Sequence, residues 1–359
     1  MIFCAAGDPG GSRVLLPVIE ELERRAMPCA VLDHGFLGRE LPGPLHVRLC
    51  PEADAEAFLG KATLFLFGSS ATDARPLSLA RLAQALGLPV MHILDNWSTY
   101  RGRLQTDGRE MFVPDAYVVM DKEAEAGAIA DGVPVSCLFI AGHPGMAGMA
   151  AALESLLAQD RREAALRLGC PPGMLHLAFV NEPFRAVLGE NTQAEGHPGF
   201  TEDAVLADFA AALSPHRERV HVCLLPHPKE SPDEVSALWE RVRGGVSGTI
   251  VTLDQSRDIF AAVDGIAGMA SILLYEAWLT GLPVLSLQPG CKIAAMRRFA
   301  LLDDIQYVDS QDRIPASVTA WLTRCRKDAA PVPRPELALH TVAPEKIANR
   351  IMVLLGRAQ

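Results

Sequence analysis

Short apolar segments alternate with amphipathic helical segments along the chain. Uninterrupted apolar runs of this length are typical of strands buried on both faces of a parallel sheet. The pattern therefore predicts an α/β fold in which helices cover parallel sheets. In the first part of the chain, the predicted strands are residues 1–6, 29–33, 46–49, 62–67, 89–94, 115–120 and 136–141.

The same alternation resumes after two predicted helices in residues 146–169. A strand ending near residue 181 is followed by predicted strands at 221–225, 249–254, 263–266 and 284–287, with a helix at 256–263. The 359 residues are enough for two domains with separate cores. We expect a Rossmann-like domain in residues 1–145, a second one in 146–340, and a helix in 341–359 that could cross back to the first.

Composition narrows the functional classes. The formal charge of −10 argues against nucleic-acid binding, and the 8 cysteines include no C-x-x-C pair, so we expect neither a disulfide framework nor a metal. No apolar run approaches the ~20 residues that span a bilayer. We therefore expect a cytoplasmic protein, with peripheral association at the inner membrane surface as the alternative.

Residues 263–288 read as one βαβ unit around which a ligand site could form. Gly268 lets the chain turn, and Met269 and Ser271 open a helix whose free amides suit an anion. Glu276 follows within about two turns and could accept hydrogen bonds from ribose hydroxyls. The alternative is a plain structural crossover.

The order G-x-x-S, then Glu-Ala, then G-x-P in this unit resembles the donor-binding half of GT-B glycosyltransferases and of nucleotide-sugar 2-epimerases. The resemblance implies two Rossmann-like domains facing a central cleft. A strand that ends in His-Pro with a lysine after it, at His227 and Lys229, resembles the HP motif of bacterial sialyltransferases and glycerophosphotransferases. In those enzymes the histidine contacts the nucleotide phosphate. The His-Glu-Ala-Gly segment of 2-epimerases is absent.

The first strand runs into a glycine-rich turn at residues 7–12. Gly7, Gly10 and Gly11 would let a ligand approach backbone amides closely, and Asp8 is a second candidate for the catalytic base. The resemblance implies that this loop meets a diphosphate or an acceptor. The alternative is a tight structural turn.

The loop after the fifth strand combines a carboxylate, an amide and aromatic rings. Asp95 is the leading candidate for a general base, while Asn96 and Trp97 suit a sugar or another polyol. The alternative is that Asp95 caps a helix and Trp97 packs beneath the loop.

Further candidates follow other strands. Glu182 faces the predicted cleft, and Arg185 could grip a diphosphate with two nitrogens, although a surface ion pair would equally explain it. His143 lies in a Gly-His-Pro-Gly segment that we interpret as the hinge. The segments 68–70 and 253–256 are weaker candidates, the latter for contact with the base.

The resemblance and the absence of a D-x-D segment lead us to expect a metal-independent glycosyltransferase. A nucleotide sugar would be the co-substrate, no other cofactor is expected, and the acceptor would be a glycan, a lipid-linked group or a protein. The alternatives are a UDP-N-acetylhexosamine 2-epimerase or hydrolase on the same fold, and a non-catalytic carbohydrate-binding or partner-binding module. The oligomeric state, with a homodimer as one option, is left open.

Overall fold

A computed structural model describes residues 1–39, 47–68, 73–105, 110–227, 229–252, 255–326 and 331–357. The chain forms two compact units. Unit 1 comprises Met1–Ala151 and Glu336–Gln359, and unit 2 comprises Ala152–Pro335. Within the described ranges, we find no helix of the length and apolar character that crossing a membrane requires.

Unit 1 is an alternating series of strands and helices that ends with two helices from the C-terminal segment. Its strands are β1 (Ile2–Ala5), β2 (Cys29–Leu32), β3 (Arg48–Cys50), β4 (Leu64–Gly68), β5 (Val90–Ile93), β6 (Ala116–Val119) and β7 (Leu138–Ile140). Its helices are α1 (Pro9–Arg24), α2 (Gly35–Arg39), α3 (Ala55–Leu59), α4 (Arg75–Ala85), α5 (Lys122–Ala130), the start of α6 (Ala147–Leu157), α14 (Pro335–Thr341) and α15 (Ala343–Arg357).

The seven strands of unit 1 form a parallel sheet in the order β3-β2-β1-β4-β5-β6-β7. Alternate residues of each strand face opposite sides. On β1, Phe3 joins the core beneath α3, α4 and α5, while Cys4 joins the core beneath α1 and α15. Both faces of the sheet are therefore buried, which explains why its strands are apolar throughout.

Unit 2 repeats this architecture. Its strands are β8 (Leu175–Val180), β9 (Val220–Leu225), β10 (Ser247–Ile250), β11 (Gly265–Gly268), β12 (Val284–Leu287) and β13 (Ile305–Val308). Its helices are α7 (Arg161–Arg167), α8 (Phe184–Leu188), α9 (Glu202–Leu213), α10 (Pro232–Val242), α11 (Ile259–Ala262), α12 (Ile272–Thr280) and α13 (Ile314–Arg324), and a 3-10 helix spans Ala294–Leu301.

The six strands of unit 2 are also parallel, in the order β10-β9-β8-β11-β12-β13. One face is covered by α9 and α13, whose Phe209 and Trp321 pack with Phe179 of β8. Gly281 ends α12 in the left-handed conformation, with φ +81°, where an added Cβ would lie 2.0 Å from the carbonyl oxygen of Val332. Only glycine fits this position.

The predicted architecture of two parallel α/β domains is confirmed, with three local corrections. Helix α1 begins at Pro9, so Gly10 and Gly11 lie in its first turn instead of in a loop. The predicted helix at 256–263 is reduced to the four residues of α11. Strand β13 was not predicted, because three of its four residues are only partly buried and one is a glutamine.

Candidate functional site

The candidate residues of unit 1 lie at the carboxyl ends of β1 and β5. Strands β1 and β4 are neighbours, and the chain leads from them toward opposite edges of the sheet. In open parallel sheets, ligands bind at such a switch point, beyond the carboxyl ends of the strands. The segments after β1 and β5 are therefore placed where a ligand site is expected.

Asp8 is the N-cap of α1. Its Oδ1 accepts a hydrogen bond of 2.8 Å from the amide of Gly11, and the Ser12 hydroxyl donates to the Asp8 carbonyl. Pro9 follows at the first helical position, where it is best tolerated. This strong cap explains why the helix starts early. It also engages one oxygen of Asp8, whose catalytic role stays a prediction.

Asp95 forms a nearly buried ion pair with Arg103. The side chains are 12% and 8% exposed, and Arg103 Nη1 contacts Asp95 Oδ1. The other oxygen lies on the first turn of α1, since a Cβ built on Gly10 would be 1.9 Å from Asp95 Oδ2. The glycine thus allows the carboxylate to rest against the helix backbone.

The environment raises the pKa of Asp95 above the usual range of an aspartate. Burial is the largest cause, and the negative charge of Asp8 acts in the same direction, while the Arg103 guanidinium opposes both. A carboxyl with a raised pKa is a stronger base once ionised. The role of Asp95 as a general base stays a prediction.

The loop that carries these residues is held in a fixed shape. Thr99 adopts φ +56°, a left-handed conformation that is unfavourable for a β-branched residue. Arg103 Nε donates to the Ser98 carbonyl over 3.3 Å, which ties the two ends of the loop together. Such strain persists where surrounding contacts fix the backbone, often at functional sites.

Trp97 and His143 support this loop from one side. The Trp97 indole donates to Asp121 Oδ2 over 2.7 Å and stacks on His143, with ring centroids 6.0 Å apart. His143 Nε2 donates to the Asp95 carbonyl over 3.2 Å. Asn96 is exposed. Trp97 is thus held by Asp121 and His143, and contact of Trp97 or Asn96 with a ligand stays a prediction.

Three further residues near this edge, His34, Asp73 and Arg103, were missed from the sequence. His34, just after β2, contacts Asp73 through Nε2 and Oδ2 at 2.8 Å. Gly7 lies against both side chains, since a Cβ there would be 1.7 Å from Asp73 Oδ2. His34 could have been found because it follows a predicted strand. Arg103 carried no such signal, because it lies eight residues beyond Asp95.

The candidate residues of unit 2 occupy the equivalent edge of the second sheet. Strands β8 and β11 are neighbours at its switch point, and β9 lies beside β8. Gly268 is the last residue of β11 and pairs with Val180 of β8. Met269 is buried, and its carbonyl accepts hydrogen bonds from Ser286 and Gln288. These bonds fix the turn that leads into α12.

Glu182 binds the backbone just before α12. Its Oε2 accepts a hydrogen bond of 2.6 Å from the amide of Ala270. Burial raises the pKa of this carboxyl to about 7, and the charges of Glu202 and Glu230 contribute in the same direction. One amide of the predicted anion seat, that of Ala270, is therefore already engaged by a carboxyl whose pKa lies near neutral pH.

Ser271 caps α12, and Glu276 is buried beside it. The Ser271 hydroxyl accepts from the amide of Leu273 over 3.3 Å. Glu276 is 3% exposed and pairs with Arg257 through Nη1 and Oε2. The carboxylate predicted to bind a ribose therefore has a protein partner, which was not found from the sequence.

Glu230 organises the turn after β9. Its carboxylate accepts from Asn181 Nδ2 at 2.7 Å and from the His227 amide at 2.8 Å, while His227 Nδ1 accepts from the Lys229 amide. Burial, with a smaller effect of Lys229, lowers the pKa of His227. The histidine thus acts here as a neutral turn acceptor, and contact with a phosphate through the HP motif stays a prediction.

Arg185 lies beside this turn on α8. Its amide donates to both carboxylate oxygens of Glu202 at 3.0 Å, and its guanidinium lies 3.7 Å from Asp203 Oδ2. The side chain is 46% exposed. An exposed guanidinium with one distant partner can turn toward an anion at little cost. Parts of the segments 68–70 and 253–256, and residue 228, fall outside the described residues.

Among the comparisons with known proteins, solved structures support the fold. No family model matches the chain, and no curated protein matches its sequence. The UDP-GlcNAc 2-epimerase of Methanocaldococcus jannaschii is 12% identical, with 98% of this chain and 99% of that chain covered and a TM-score of 0.59. The Neisseria meningitidis UDP-GlcNAc 2-epimerase bound to UDP-GlcNAc is 11% identical, with the same coverage and TM-score. Anabaena Alr3699/HepE in complex with UDP is 12% identical, with coverage of 99% and 97% and a TM-score of 0.55.

The chain has the GT-B fold. Its sheets of seven and six parallel strands match those of the epimerase structures. The prediction of a glycosyltransferase is wrong, because several of the similar structures, including two of these three, are named as UDP-GlcNAc 2-epimerases and favour the alternative instead. Epimerases and transferases share the GT-B fold, so the motifs that predicted the fold could not separate the two reactions.

Proposed function

We propose that this GT-B protein acts on a UDP-N-acetylhexosamine, either inverting its configuration at C2 or hydrolysing it. The proposal is supported by the fold, which is that of a UDP-GlcNAc 2-epimerase bound to UDP-GlcNAc. The nucleotide sugar is the substrate, and no further cofactor is part of the proposal.

The observation that carries the proposal is the environment of Asp95. Inversion at C2 breaks a C–H bond and remakes it on the opposite face, so the reaction needs groups that accept and return a proton. Asp95 is nearly buried, its pKa is raised, and Arg103 and the first turn of α1 fix its orientation. A general base needs this combination of position and basicity.

Unit 2 supplies groups suited to a uridine diphosphate. We assign the diphosphate to the amides and the Ser271 hydroxyl at the start of α12, with Arg185 as the accompanying cation. We assign the ribose hydroxyls to Glu276, whose bond to the partly exposed Arg257 would rearrange on binding. Glu182 would hold the neighbouring amide until the nucleotide arrives.

The test is incubation of the full chain with UDP-GlcNAc and no acceptor, followed by anion-exchange chromatography of the nucleotides. We expect a second UDP-N-acetylhexosamine, or UDP with a free sugar. Asp95→Asn should abolish turnover and leave the affinity for UDP unchanged. Asp54→Asn, at an exposed aspartate of unit 1, is the matched control and should retain activity.

Two outcomes would contradict the proposal. Tight UDP binding with no conversion of any UDP-N-acetylhexosamine would point to a non-catalytic module. Turnover that survives in Asp95→Asn would show that another group accepts the proton.

A further inference from the structure

Two cysteines and a histidine meet in the interior of unit 2, away from the residues assigned to the nucleotide sugar. Cys170 follows α7, while His221 and Cys223 lie on β9. All three side chains are buried, and their ligand atoms lie within 4.8 Å of one another. Residues two apart on a strand face the same side, which places His221 and Cys223 together beneath Cys170.

The distances are close to those of a tetrahedral metal site. The two sulfur atoms are 3.3 Å apart. Zinc binds thiolate sulfur at about 2.3 Å and imidazole nitrogen at about 2.0–2.1 Å, so tetrahedral angles require separations of about 3.8 Å between sulfurs and about 3.6 Å between sulfur and nitrogen. Shifts of roughly 0.5 Å for the sulfurs and at most about 1.2 Å for the imidazole would complete the geometry.

Hydrogen bonds define which histidine nitrogen is available. The Ser247 hydroxyl donates to the Val220 carbonyl, so its oxygen can accept from His221 Nδ1, 3.0 Å away. The proton then lies on Nδ1, and Nε2 keeps its lone pair. Metal-binding histidines are typically oriented in this way, by an oxygen that accepts from the other ring nitrogen.

Nε2 is therefore the nitrogen of His221 that could bind a metal. It now accepts from the Thr249 hydroxyl at 2.7 Å, and Thr249 lies directly opposite Cys223 in the sheet register. Rotation of the threonine hydroxyl would free the nitrogen for a metal.

We propose that Cys170, His221 and Cys223 form a binding site for a soft divalent cation, with Zn²⁺ as the expected occupant. Two thiolates and one imidazole are the ligands that zinc prefers in proteins, and binding would release the two thiol protons to solvent. A cavity of about 300 Å³ that is lined by Cys170 and His176 offers the entry path and room for water as a fourth ligand. The ion would fasten the segment after α7 to β9.

The proposed metal site does not depend on the proposed enzymatic function. It is tested on protein that is kept reduced with a non-thiol reductant. Native mass spectrometry should show one Zn²⁺ per chain, with the loss of two protons. Co²⁺ in its place should give a thiolate-to-metal charge-transfer band. Cys170→Ser and Cys223→Ser should each lower the intensity of the band and weaken Zn²⁺ binding by at least about 100-fold. Ser247→Ala should weaken Zn²⁺ binding by about 10- to 100-fold.

Cys29→Ser is the matched control. Cys29 and Cys4 form another interacting thiol pair, in unit 1, and this variant should bind Zn²⁺ with unchanged stoichiometry and affinity. The proposal is overturned if the reduced wild type binds no metal, or if the serine variants bind Zn²⁺ as tightly as the wild type. Should Cys223→Ser fail to fold, Cys170→Ser and Ser247→Ala give the same decision.

Discussion

Replacing Glu182 by glutamine should make the free energy of unfolding of unit 2 less dependent on pH. In the fold, burial and the neighbouring carboxylates Glu202 and Glu230 raise its pKa to about 7. In the unfolded chain, a glutamate titrates near about 4.3. Because the pKa of Glu182 is higher in the folded state than in the unfolded chain, the protonated carboxyl favours the fold. This contribution to the stability of unit 2 is complete below about pH 4.3 and is lost as the pH rises through about 7.

The size of the effect follows from the two pKa values. Each tenfold difference between the folded and unfolded ionisation constants is worth about 1.4 kcal/mol, so full ionisation of Glu182 costs the fold roughly 4 kcal/mol. Glutamine cannot ionise, and its carbonyl oxygen can still accept from the Ala270 amide. Between about pH 5 and pH 8, the wild type should therefore lose roughly 3 kcal/mol more stability than Glu182→Gln.

The measurement is urea unfolding at about pH 5 and at about pH 8, monitored by tryptophan fluorescence. Trp239, Trp278 and Trp321, three of the four tryptophans, are buried in unit 2, so the signal reports mainly on that unit. Glu218→Gln, at a side chain that is 86% exposed, is the control and should follow the wild-type curve. Parallel pH profiles for the wild type and Glu182→Gln would refute the reasoning.

Three further predictions concern the candidate site. Arg103→Met should destabilise unit 1 by about 3–5 kcal/mol in urea unfolding, because it leaves Asp95 buried without its partner, and adding Asp95→Asn should restore part of the loss. Gly10→Ala should lower the stability of the fold by about 1–3 kcal/mol and reduce turnover, because the added methyl group clashes with Asp95. Gly148→Ala, on an open helical surface, is the control and should raise the stability by about 0.5–1 kcal/mol. UDP affinity, measured by calorimetry, should weaken as the pH rises through about 7 because Glu182 becomes charged, and Glu182→Gln should lack this change. The first argument is contradicted if Arg103→Met and the double variant lose the same stability. The second is contradicted if Gly10→Ala is as stable as the wild type. The third is contradicted if UDP binding to Glu182→Gln depends on pH as it does in the wild type.

The sequence was sufficient where a local pattern determines the structure. Helix α12 was predicted almost to its ends, because Ser271 caps one end and Gly281 supplies the left-handed residue at the other. The parallel sheets were predicted because their strands are buried on both faces. Strand β13 was missed because it is short and lies at an edge, where burial is incomplete.

Contacts between distant residues could not be read from the sequence. Arg257 and Glu276 are 19 residues apart, and their pairing depends on how α12 packs. The cluster of Cys170, His221 and Cys223 escaped the search for C-x-x-C pairs because its cysteines are 53 residues apart. The His-x-Cys spacing on β9 was its one local signal.

The reaction was predicted wrongly for a related reason. The residues around Gly268 and Glu276 predicted a nucleotide-binding α/β unit, and such a unit serves several chemistries. The absence of the His-Glu-Ala-Gly segment also weakened the prediction of an epimerase. At 11–12% identity to the similar structures, however, the fold is retained although most side chains differ.

The most direct test of the central claim is exchange of the C2 hydrogen of UDP-GlcNAc with solvent. The protein is incubated with the nucleotide sugar in D₂O, and proton NMR follows the C2 signal of the substrate and of any epimer. The account predicts that deuterium enters C2 with the wild type and with Asp54→Asn, and that exchange stops in Asp95→Asn. A C2 signal that keeps its full proton intensity while the nucleotide sugar is bound would contradict epimerisation through Asp95.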